Sequence, residues 1–272
     1  MADRSYSLVT GASTGIGLEI ARRLAARGEF LVITARSAAT LEAVAVELRR
    51  LGSPEVVVLP ADLATASGAA ALLDQLASHG LEIGTLVNNA GFGAIGSFVD
   101  LGEAEQFEMV QLNVMSLVQL ARRLLPGMVA RGHGHVLNVA SVAGFQPGPW
   151  MTIYCATKAF VVSFSEGIGR ELRGTGVTVT TLCPGPTATP FVARARMSTT
   201  LLSRTGNVME AGAVADAAVR AIGRGGIVVP GFVNKFLIQS QRVSPRALVL
   251  WLTSRLNRAR GLSPVASGPR SA

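Results

Sequence analysis

The fold is decided by the stretch Thr10-Gly11-Ala12-Ser13-Thr14-Gly15-Ile16-Gly17, which joins an apolar strand to a helix through a glycine-rich turn. We predict the strand over residues 7–10 and the helix over about 15–27. Glycines are needed where a backbone turns sharply and approaches a pyrophosphate closely, and a helix N-terminus then offers free N–H groups to the anion. The spacing is G-x-x-x-G-x-G rather than G-x-G-x-x-G, but its place between strand and helix indicates a dinucleotide site.

Strands and helices continue to alternate after this turn. Further strands are predicted over residues 30–35, 56–60, 85–88, 136–139, 177–182 and 227–230. Helices are predicted over residues 38–51, 67–78, 103–125, 153–173 and 211–224. Such repeated βα units predict an α/β fold with a doubly wound parallel sheet, the Rossmann fold. With 49% apolar and only 15% charged residues, the composition suits parallel strands that are covered on both faces.

We predict that the 272 residues form a single domain with a C-terminal helical extension. The Rossmann-type domain covers residues 1–230, including a mobile flap at 187–208 that lacks strand periodicity. An amphipathic basic extension follows at 231–260, and residues 261–272, rich in Gly, Ser, Pro and Ala, are predicted to be disordered. Two cysteines without a C-x-x-C motif, and an N-terminus unlike a signal peptide, favour a cytoplasmic location.

The net charge of +8 is concentrated near the C-terminus. Residues 1–230 carry 18 basic and 17 acidic side chains, whereas residues 231–272 carry seven basic side chains and no acid. Nucleic-acid-binding proteins usually place a basic stripe on the folded module itself. We therefore expect no nucleic-acid partner.

The end of the second strand reads Ile33-Thr34-Ala35-Arg36-Ser37, with no acid before Glu42. NAD sites usually carry an Asp or Glu about 20 residues beyond the glycines, which accepts hydrogen bonds from the ribose. Here Ala35 leaves room and Arg36 supplies a guanidinium that fits a 2′-phosphate, so we predict NADP(H) as the cofactor. The alternative is a solvated surface arginine, which is common in a chain with 23 arginines.

A second informative stretch is Tyr154-Cys155-Ala156-Thr157-Lys158. The chain has two tyrosines and two lysines against 23 arginines, and one of each falls here, four residues apart on one helix face. A phenol titrates near ~10, and a nearby ammonium can lower that pKa by roughly one to three units. Such a phenol could give a proton to a carbonyl or take one from an alcohol. The alternative is a helical pair with no special role.

Further motifs follow in order along the chain. They are Thr10-Gly11-x-x-x-Gly15-x-Gly17, Asp62-Leu63, Asn88-Asn89-Ala90-Gly91, Asn113, Ser141, Tyr154-x-x-x-Lys158, and Pro184-Gly185 with Thr189. Through this ordered set, over about residues 5–230, the chain resembles the short-chain dehydrogenase/reductase family. The resemblance implies an NADP(H)-dependent oxidoreductase that interconverts a carbonyl and a secondary alcohol, with the hydride transfer belonging to the cofactor.

The resemblance also implies a catalytic set of four residues. Ser141 would hydrogen-bond the substrate oxygen, and Tyr154 would exchange a proton with it. Lys158 would bind the nicotinamide ribose hydroxyls while lowering the pKa of the tyrosine. Asn113 would support a water relay from the lysine to solvent.

The cofactor-binding residues implied by the resemblance extend along the whole Rossmann-type domain. Asp62 would lie by the adenine, and residues 88–91 would brace the central strands beside the ribose. Thr187 and Thr189 would meet the nicotinamide carboxamide or the phosphates. The full predicted set is Gly11, Ser13, Thr14, Gly15, Ile16, Gly17, Arg36, Ser37, Asp62, Leu63, Asn89, Ala90, Gly91, Tyr154, Lys158, Pro184, Gly185, Thr187 and Thr189.

The apolar composition favours a hydrophobic substrate, which could be a ketone, an aldehyde or a long-chain oxo compound. Phe92, Phe145, Trp150 and Phe191 adjoin motif residues and are candidates for the substrate pocket, although such side chains more often pack a core. One alternative function is an NAD-dependent alcohol dehydrogenase of the same family. Another is a dinucleotide-binding sensor without turnover.

Two other questions concern partners and metals. In the family that the chain resembles, the helices around 103–125 and 153–173 commonly pack between subunits, so the resemblance implies a homo-oligomer, a dimer or a tetramer. His133 and His135 could ligate a metal, but no carboxylate or thiol lies near them in the sequence. We predict a solvated turn there and no metal site.

The extension over residues 231–260 alternates apolar and basic side chains, and Pro245 divides it into two short helical pieces. Such faces can lie on an anionic membrane surface, or receive a substrate carried on an acidic protein or on coenzyme A. The favoured interpretation is that the apolar face closes the substrate pocket or an oligomer interface, with the basic side chains solvated.

Overall fold

The computed structural model describes residues 4–191 and 208–258. Its strands are β1 (Ser5–Thr10), β2 (Phe30–Thr34), β3 (Val56–Val58), β4 (Glu82–Asn88), β5 (Gly134–Val139), β6 (Val177–Leu182), β7 (Thr187–Ala188), β8 (Met209–Glu210) and β9 (Gly226–Val228). Its helices are α1 (Gly15–Ala25), α2 (Ala38–Arg50), α3 (Gly68–Ser78), α4 (Glu103–Val110), α5 (Leu117–Arg131), α6 (Thr152–Glu171), α7 (Ala211–Ala221), α8 (Phe232–Val243) and α9 (Arg246–Asn257). A π-helical turn, Gln111–Ser116, joins α4 to α5, and a 3₁₀ turn, Val142–Phe145, follows β5.

The main sheet has the strand order β3-β2-β1-β4-β5-β6-β9, and every pairing in it is parallel. The chain reverses its direction of winding between β1 and β4, where Val9 is in register with Ile33 on one side and with Val87 on the other. In such sheets, ligands bind in the crevice at the carboxyl ends of the strands, at this switch point. The predicted doubly wound Rossmann fold is confirmed.

Helices cover both faces of the sheet, so the central strands are buried on both sides. Leu8 and Leu86 face a core that α3 and α5 complete, whereas Val9 and Val87 face a core that α1, α2 and α7 complete. Leu86 is fully buried, and removing such a side chain typically costs about 2–5 kcal/mol. Burial on both faces explains why the strands are continuous apolar runs rather than alternating ones.

Two predicted segments differ from the structure. The helix predicted to end at residue 125 continues through Pro126 to Arg131, because its apolar face remains buried at Met128. Gly132, with φ of 68°, ends it. The predicted flap at 187–208 begins with a strand instead, because β7 pairs with β8, which lies just beyond the predicted segment, in a short parallel ladder. The interior of that segment lies outside the described residues.

The extension forms two helices, α8 and α9, which meet at Pro245 as predicted. The predicted disordered tail, 261–272, lies outside the described residues. Among the helices of the described ranges, none is both long and apolar enough to cross a bilayer.

Candidate active site

The glycine-rich turn packs tightly against the end of β4. Gly11 has φ of 66°, and a Cβ atom there would lie 2.9 Å from Asn89 Nδ2 and 3.0 Å from Ala90 Cα. A Cβ atom on Gly17 would overlap both Asn89 Nδ2 and the carbonyl oxygen of Gly11. Asn89 Nδ2 in turn donates to the carbonyl oxygen of Thr10, at 2.9 Å. Gly17 therefore allows this close packing of the turn against Asn89. Contrary to the prediction, it does not line the cavity.

Thr10 opens the glycine-rich motif and is a positioning residue that the predicted site set leaves out. Its Oγ1 accepts hydrogen bonds from the backbone N–H groups of Asn89, at 3.0 Å, and Ala90, at 2.9 Å. The same hydroxyl donates to the carbonyl oxygen of Val87. On the other side of β4, Asn88 Nδ2 donates to Asn138 Oδ1 at 3.0 Å. These bonds brace the central strands, as the resemblance implies for residues 88–91.

The N-terminus of α1 faces the crevice with free backbone donors. Thr14 is its N-cap residue and makes no side-chain capping bond, and the first turn contains no acidic side chain. Gly15, with φ of 61°, would bring a Cβ atom within 3.3 Å of Thr189 Cγ2. Uncompensated N–H groups and a positive helix end form a suitable site for a phosphate group.

The carboxyl ends of the strands open into a cavity of about 1110 Å³. It extends from α1 to α8 and α9, and nearly all of the predicted site residues line it. The cavity-lining members of the predicted sets are Gly11, Ser13, Thr14, Gly15, Ile16, Arg36, Ser37, Asp62, Leu63, Asn89, Ala90, Gly91, Ser141, Tyr154, Lys158, Pro184, Gly185, Thr187 and Thr189. Gly17 and Asn113 are the two predicted residues that do not line it.

Ser141, Tyr154 and Lys158 meet at the middle of this cavity. Ser141 follows β5, and its Oγ accepts from the backbone N–H of Ala143 at 3.1 Å. Tyr154 and Lys158 lie one turn apart on α6, and both are buried. Lys158 Nζ lies 5.9 Å from the centre of the Tyr154 ring and donates to the carbonyl oxygen of Val139, at 2.8 Å.

The electrostatics of the tyrosine differ from the expectation. Burial raises the pKa of Tyr154 above its usual range, and a hydrogen bond with Ser141 offsets this only in part. Burial also lowers the pKa of Lys158, to about 8. The predicted lowering of the tyrosine pKa is therefore wrong for this structure, because removal of the phenolate from water dominates.

Asn113 lies behind the cavity wall, in the π-helical turn. Its Oδ1 accepts from the backbone N–H of Phe92 at 3.1 Å, and its Nδ2 donates to Phe92 O at 2.9 Å and to Thr157 Oγ1 at 3.1 Å. A Cβ atom on Gly91 would lie 2.9 Å from Asn113 Oδ1 and 3.5 Å from Lys158 Nζ. Asn113 thus holds the turn against α6, and the expected water relay stays a prediction.

The sequence of this chain matches the model of a known protein family. A family model described as short chain dehydrogenase matches residues 6–199. The chain belongs to the short-chain dehydrogenase family. A very-long-chain 3-oxoacyl-CoA reductase from Anas platyrhynchos is 36% identical over 191 residues, which cover 68% of this chain and 60% of that protein.

Solved structures support the same assignment. A short-chain dehydrogenase from Sphingobium yanoikuyae, in complex with NADPH, matches with a TM-score of 0.78 and 35% identity, covering 88% of this chain and 93% of that one. A bulky-bulky ketone specific alcohol dehydrogenase from Comamonas testosteroni matches with a TM-score of 0.74 and 32% identity, covering 88% and 91%. This short-chain dehydrogenase is thus an oxidoreductase of carbonyl and alcohol groups that uses a nicotinamide dinucleotide.

The residues of this short-chain dehydrogenase fit such a dinucleotide. The uncapped end of α1 suits the pyrophosphate, and Gly11 and Gly15 line the cavity beside it. Ser37 and Asp62 line the end of the cavity beside β2 and β3. Thr187 lines the opposite end, where its Oγ1 donates to Gly185 O at 2.9 Å.

The substrate half of the cavity is built from segments outside the family motifs. Of the four aromatic candidates, only Phe191 lines the cavity, 5.6 Å from the Tyr154 ring centre. Phe92, Phe145 and Trp150 were wrong as pocket candidates, because they pack behind its wall or beside it. The inner faces of α8 and α9 complete the wall with Val233, Leu237, Ile238, Val249, Leu252 and Leu256.

Asn234 is a further cavity residue that sequence reasoning missed. Its side chain is 1% exposed and packs directly against Gly185, where a Cβ atom would overlap it. Its Nδ2 donates to Pro230 O at 2.8 Å. Asn234 therefore docks α8 onto the Pro184–Gly185 loop, and its place beyond the last family motif offers no signal in a single sequence.

Proposed function

We propose that this short-chain dehydrogenase is an NADP(H)-dependent enzyme that interconverts a bulky hydrophobic ketone or other oxo compound and its secondary alcohol. The observation that carries the proposal is that Tyr154 and Ser141 line one cavity together with the glycine turn, the start of α1 and apolar side chains of α8 and α9. When bound, the nicotinamide group supplies or accepts the hydride.

Tyr154 is the proton donor and acceptor in this proposal. Because burial raises its pKa, the phenol is protonated at neutral pH, which is the form that gives a proton to a carbonyl oxygen. Ser141 shares a hydrogen bond with the phenol and lies in the same wall, so its hydroxyl can orient the substrate oxygen. The buried site excludes water, which strengthens both hydrogen bonds.

Lys158 holds the ribose in this proposal. Its bond to Val139 O uses one of three ammonium donors, and the other two remain for ribose hydroxyl groups. With a pKa of about 8, the ammonium is mostly charged at neutral pH. A positive charge behind the phenol also stabilises any phenolate that forms during alcohol oxidation.

Arg36 supports the preference for NADP(H) over NAD(H). It is exposed, lines the cavity at the end of β2, and has no acidic neighbour at positions 33–41. A guanidinium at this position can pair with the 2′-phosphate, whereas the carboxylate that ribose hydroxyls need is missing there. The relative from Sphingobium yanoikuyae was solved with NADPH.

A homo-oligomer is proposed through the helices α4 to α6. Large apolar side chains remain exposed on these helices, namely Phe107, Met115, Val129 and Phe160. Exposed apolar patches of this kind mark association surfaces. Light scattering of the purified protein would show a dimer or a tetramer.

The function is tested by following NADPH absorbance with a panel of carbonyl compounds of increasing size. We expect higher kcat/KM for long-chain or doubly bulky ketones than for small ones, and tighter binding of NADPH than of NADH. Turnover with NADH alone would support the rival alcohol dehydrogenase. Dinucleotide binding without turnover on any carbonyl or alcohol would support the rival sensor function.

A further inference from the structure

Five large apolar side chains of α8 and α9 are exposed, and we call them the outer apolar face. They are Phe232, Phe236, Val243, Leu248 and Trp251, and none of them lines the cavity. Phe232 and Val243 are 83% and 85% exposed. Spacings of four and seven residues place the three α8 members on one side of that helix. A cluster of this kind marks an interaction surface.

Packing against the cavity does not account for this face. The inner faces of the same helices serve the cavity, through buried Ile238 and Val249 and through Leu237 and Leu252 in its wall. The interpretation favoured from the sequence, that the apolar residues close the pocket, therefore holds for the inner faces only. The outer apolar face needs a separate partner.

The charged side chains of α8 and α9 are all positive. Lys235, Arg246 and Arg255 are exposed, and within the described residues none of them forms a salt bridge with an acid. The sequence has no Asp or Glu from residue 231 onward. The guanidinium of Arg255 lies 4.2 Å from the centre of the Trp251 ring. Aromatic rings beside basic groups are typical of protein surfaces that bind a membrane at the boundary between its acyl chains and its anionic headgroups.

A second copy of the same face is a poor partner. In a two-fold dimer, the same patch meets itself. Lys235, Arg246 and Arg255 of one subunit would then approach the same cations of the other, with no acid in the patch to compensate. Such like-charge contacts cost several kcal/mol. An anionic lipid surface supplies the missing charge.

We propose that the outer apolar face binds an anionic membrane surface. Phe232, Phe236 and Trp251 enter the boundary between headgroups and acyl chains, and the basic side chains pair with lipid phosphates. The interaction is peripheral, and it does not depend on the reaction proposed above. It can therefore be measured without any turnover.

The first experiment is co-sedimentation of the full-length protein with vesicles. Vesicles of phosphatidylcholine with phosphatidylglycerol should bind it, and vesicles of phosphatidylcholine alone should bind it weakly. Binding should fall steeply as sodium chloride rises, because surface charge is screened. Replacing Lys235, Arg246 or Arg255 with Gln should weaken binding about fivefold for each residue. Absence of binding to the anionic vesicles at low salt would overturn the proposal.

The second experiment tests the apolar contribution with a matched control. Phe232→Ser combined with Phe236→Ser should weaken vesicle binding at least about tenfold, since two exposed rings no longer enter the lipid. The control is Phe98→Ser combined with Val99→Ser, a second pair of exposed apolar side chains, which precedes α4 and adjoins Asp100. Equal binding by both double variants would refute the assignment of the face.

The third experiment locates the contact. In a Trp150→Phe variant, Trp251 is the only tryptophan, and its emission should shift to shorter wavelength with anionic vesicles. An unshifted emission in the presence of bound vesicles would contradict insertion of this face. If the Phe232→Ser and Phe236→Ser variant instead changes the oligomeric state measured by light scattering, the face is a subunit interface and the proposal fails.

Discussion

Lys158 Nζ donates to the carbonyl oxygen of Val139 at 2.8 Å, so the end of β5 anchors the ammonium behind the tyrosine ring. A guanidinium is planar and broad, and it cannot replace a compact ammonium in this buried position. This explains the lysine at position 158 in a chain that carries 23 arginines and only one other lysine. The anchored ammonium also has a measurable consequence for stability.

The stability of the protein should depend on the charge of Lys158. The pKa is about 8 in the folded state against 10.5 for an exposed lysine, so the unfolded chain binds the proton more tightly between these values. Stability therefore rises with pH through this window. Without nucleotide, the stability of Lys158→Met relative to the native protein should fall by about 2 kcal/mol between neutral pH and pH 9 to 10, because the native protein no longer buries a charged lysine there.

Urea unfolding at several pH values measures this difference. The control is Lys235→Met, which removes an exposed lysine instead of a buried one. If the difference in unfolding free energy between Lys158→Met and the native protein stays constant with pH, burial does not lower the pKa of Lys158.

Tyr154→Phe should lower kcat by at least about 10²-fold, because a positioned acid contributes on that scale. Affinity for NADPH and the midpoint of thermal unfolding should change little, since the ring and its contact with Phe191 remain. The other tyrosine offers a control, because Tyr6 bonds Glu55 at 2.9 Å, far from the cavity. Tyr6→Phe should retain turnover, and near-normal turnover of Tyr154→Phe would remove Tyr154 from its role.

Arg36→Ala should weaken NADPH binding by roughly 10- to 150-fold, the range expected for hydrogen bonds to a charged group. Binding of NADH should change little. Ala35→Asp should weaken NADPH further, because its carboxylate repels the 2′-phosphate. Fluorescence titration measures both, with Arg50→Ala on the exposed end of α2 as a control. Unchanged NADPH affinity in both site variants would contradict the cofactor assignment.

Gly93→Ala should lower turnover while NADPH binding is retained. A Cβ atom on Gly93 would lie 2.9 Å from Tyr154 Cδ2 and 3.0 Å from Phe191 Cζ, so the phenol must shift. Gly167 on α6 has open space around it. Gly167→Ala should therefore keep full activity and stabilise its helix by about 0.5–1 kcal/mol. Steady-state kinetics should therefore show a lower kcat for Gly93→Ala, in which the added methyl group contacts Tyr154, than for Gly167→Ala, in which it contacts nothing.

Short-range patterns in the sequence were sufficient to predict the fold and many of the residues of the site. The glycine turn lies between a strand and a helix in the sequence, so its position at the crevice follows once the sheet is parallel. Tyr154 and Lys158 share a helix face because they are four residues apart. Both statements need only the regular geometry of one element and its neighbours along the chain.

The sequence by itself determined the sheet, the cofactor turn and the pairing of Tyr154 with Lys158, since each depends on short-range spacing. Tertiary structure alone decided which side chains reach the cavity, because Asn234 lines it on α8 from beyond the family motifs while Phe92 does not line it. It also decided the direction of the tyrosine pKa. Desolvation depends on every segment that covers a group, and those segments are distant in sequence.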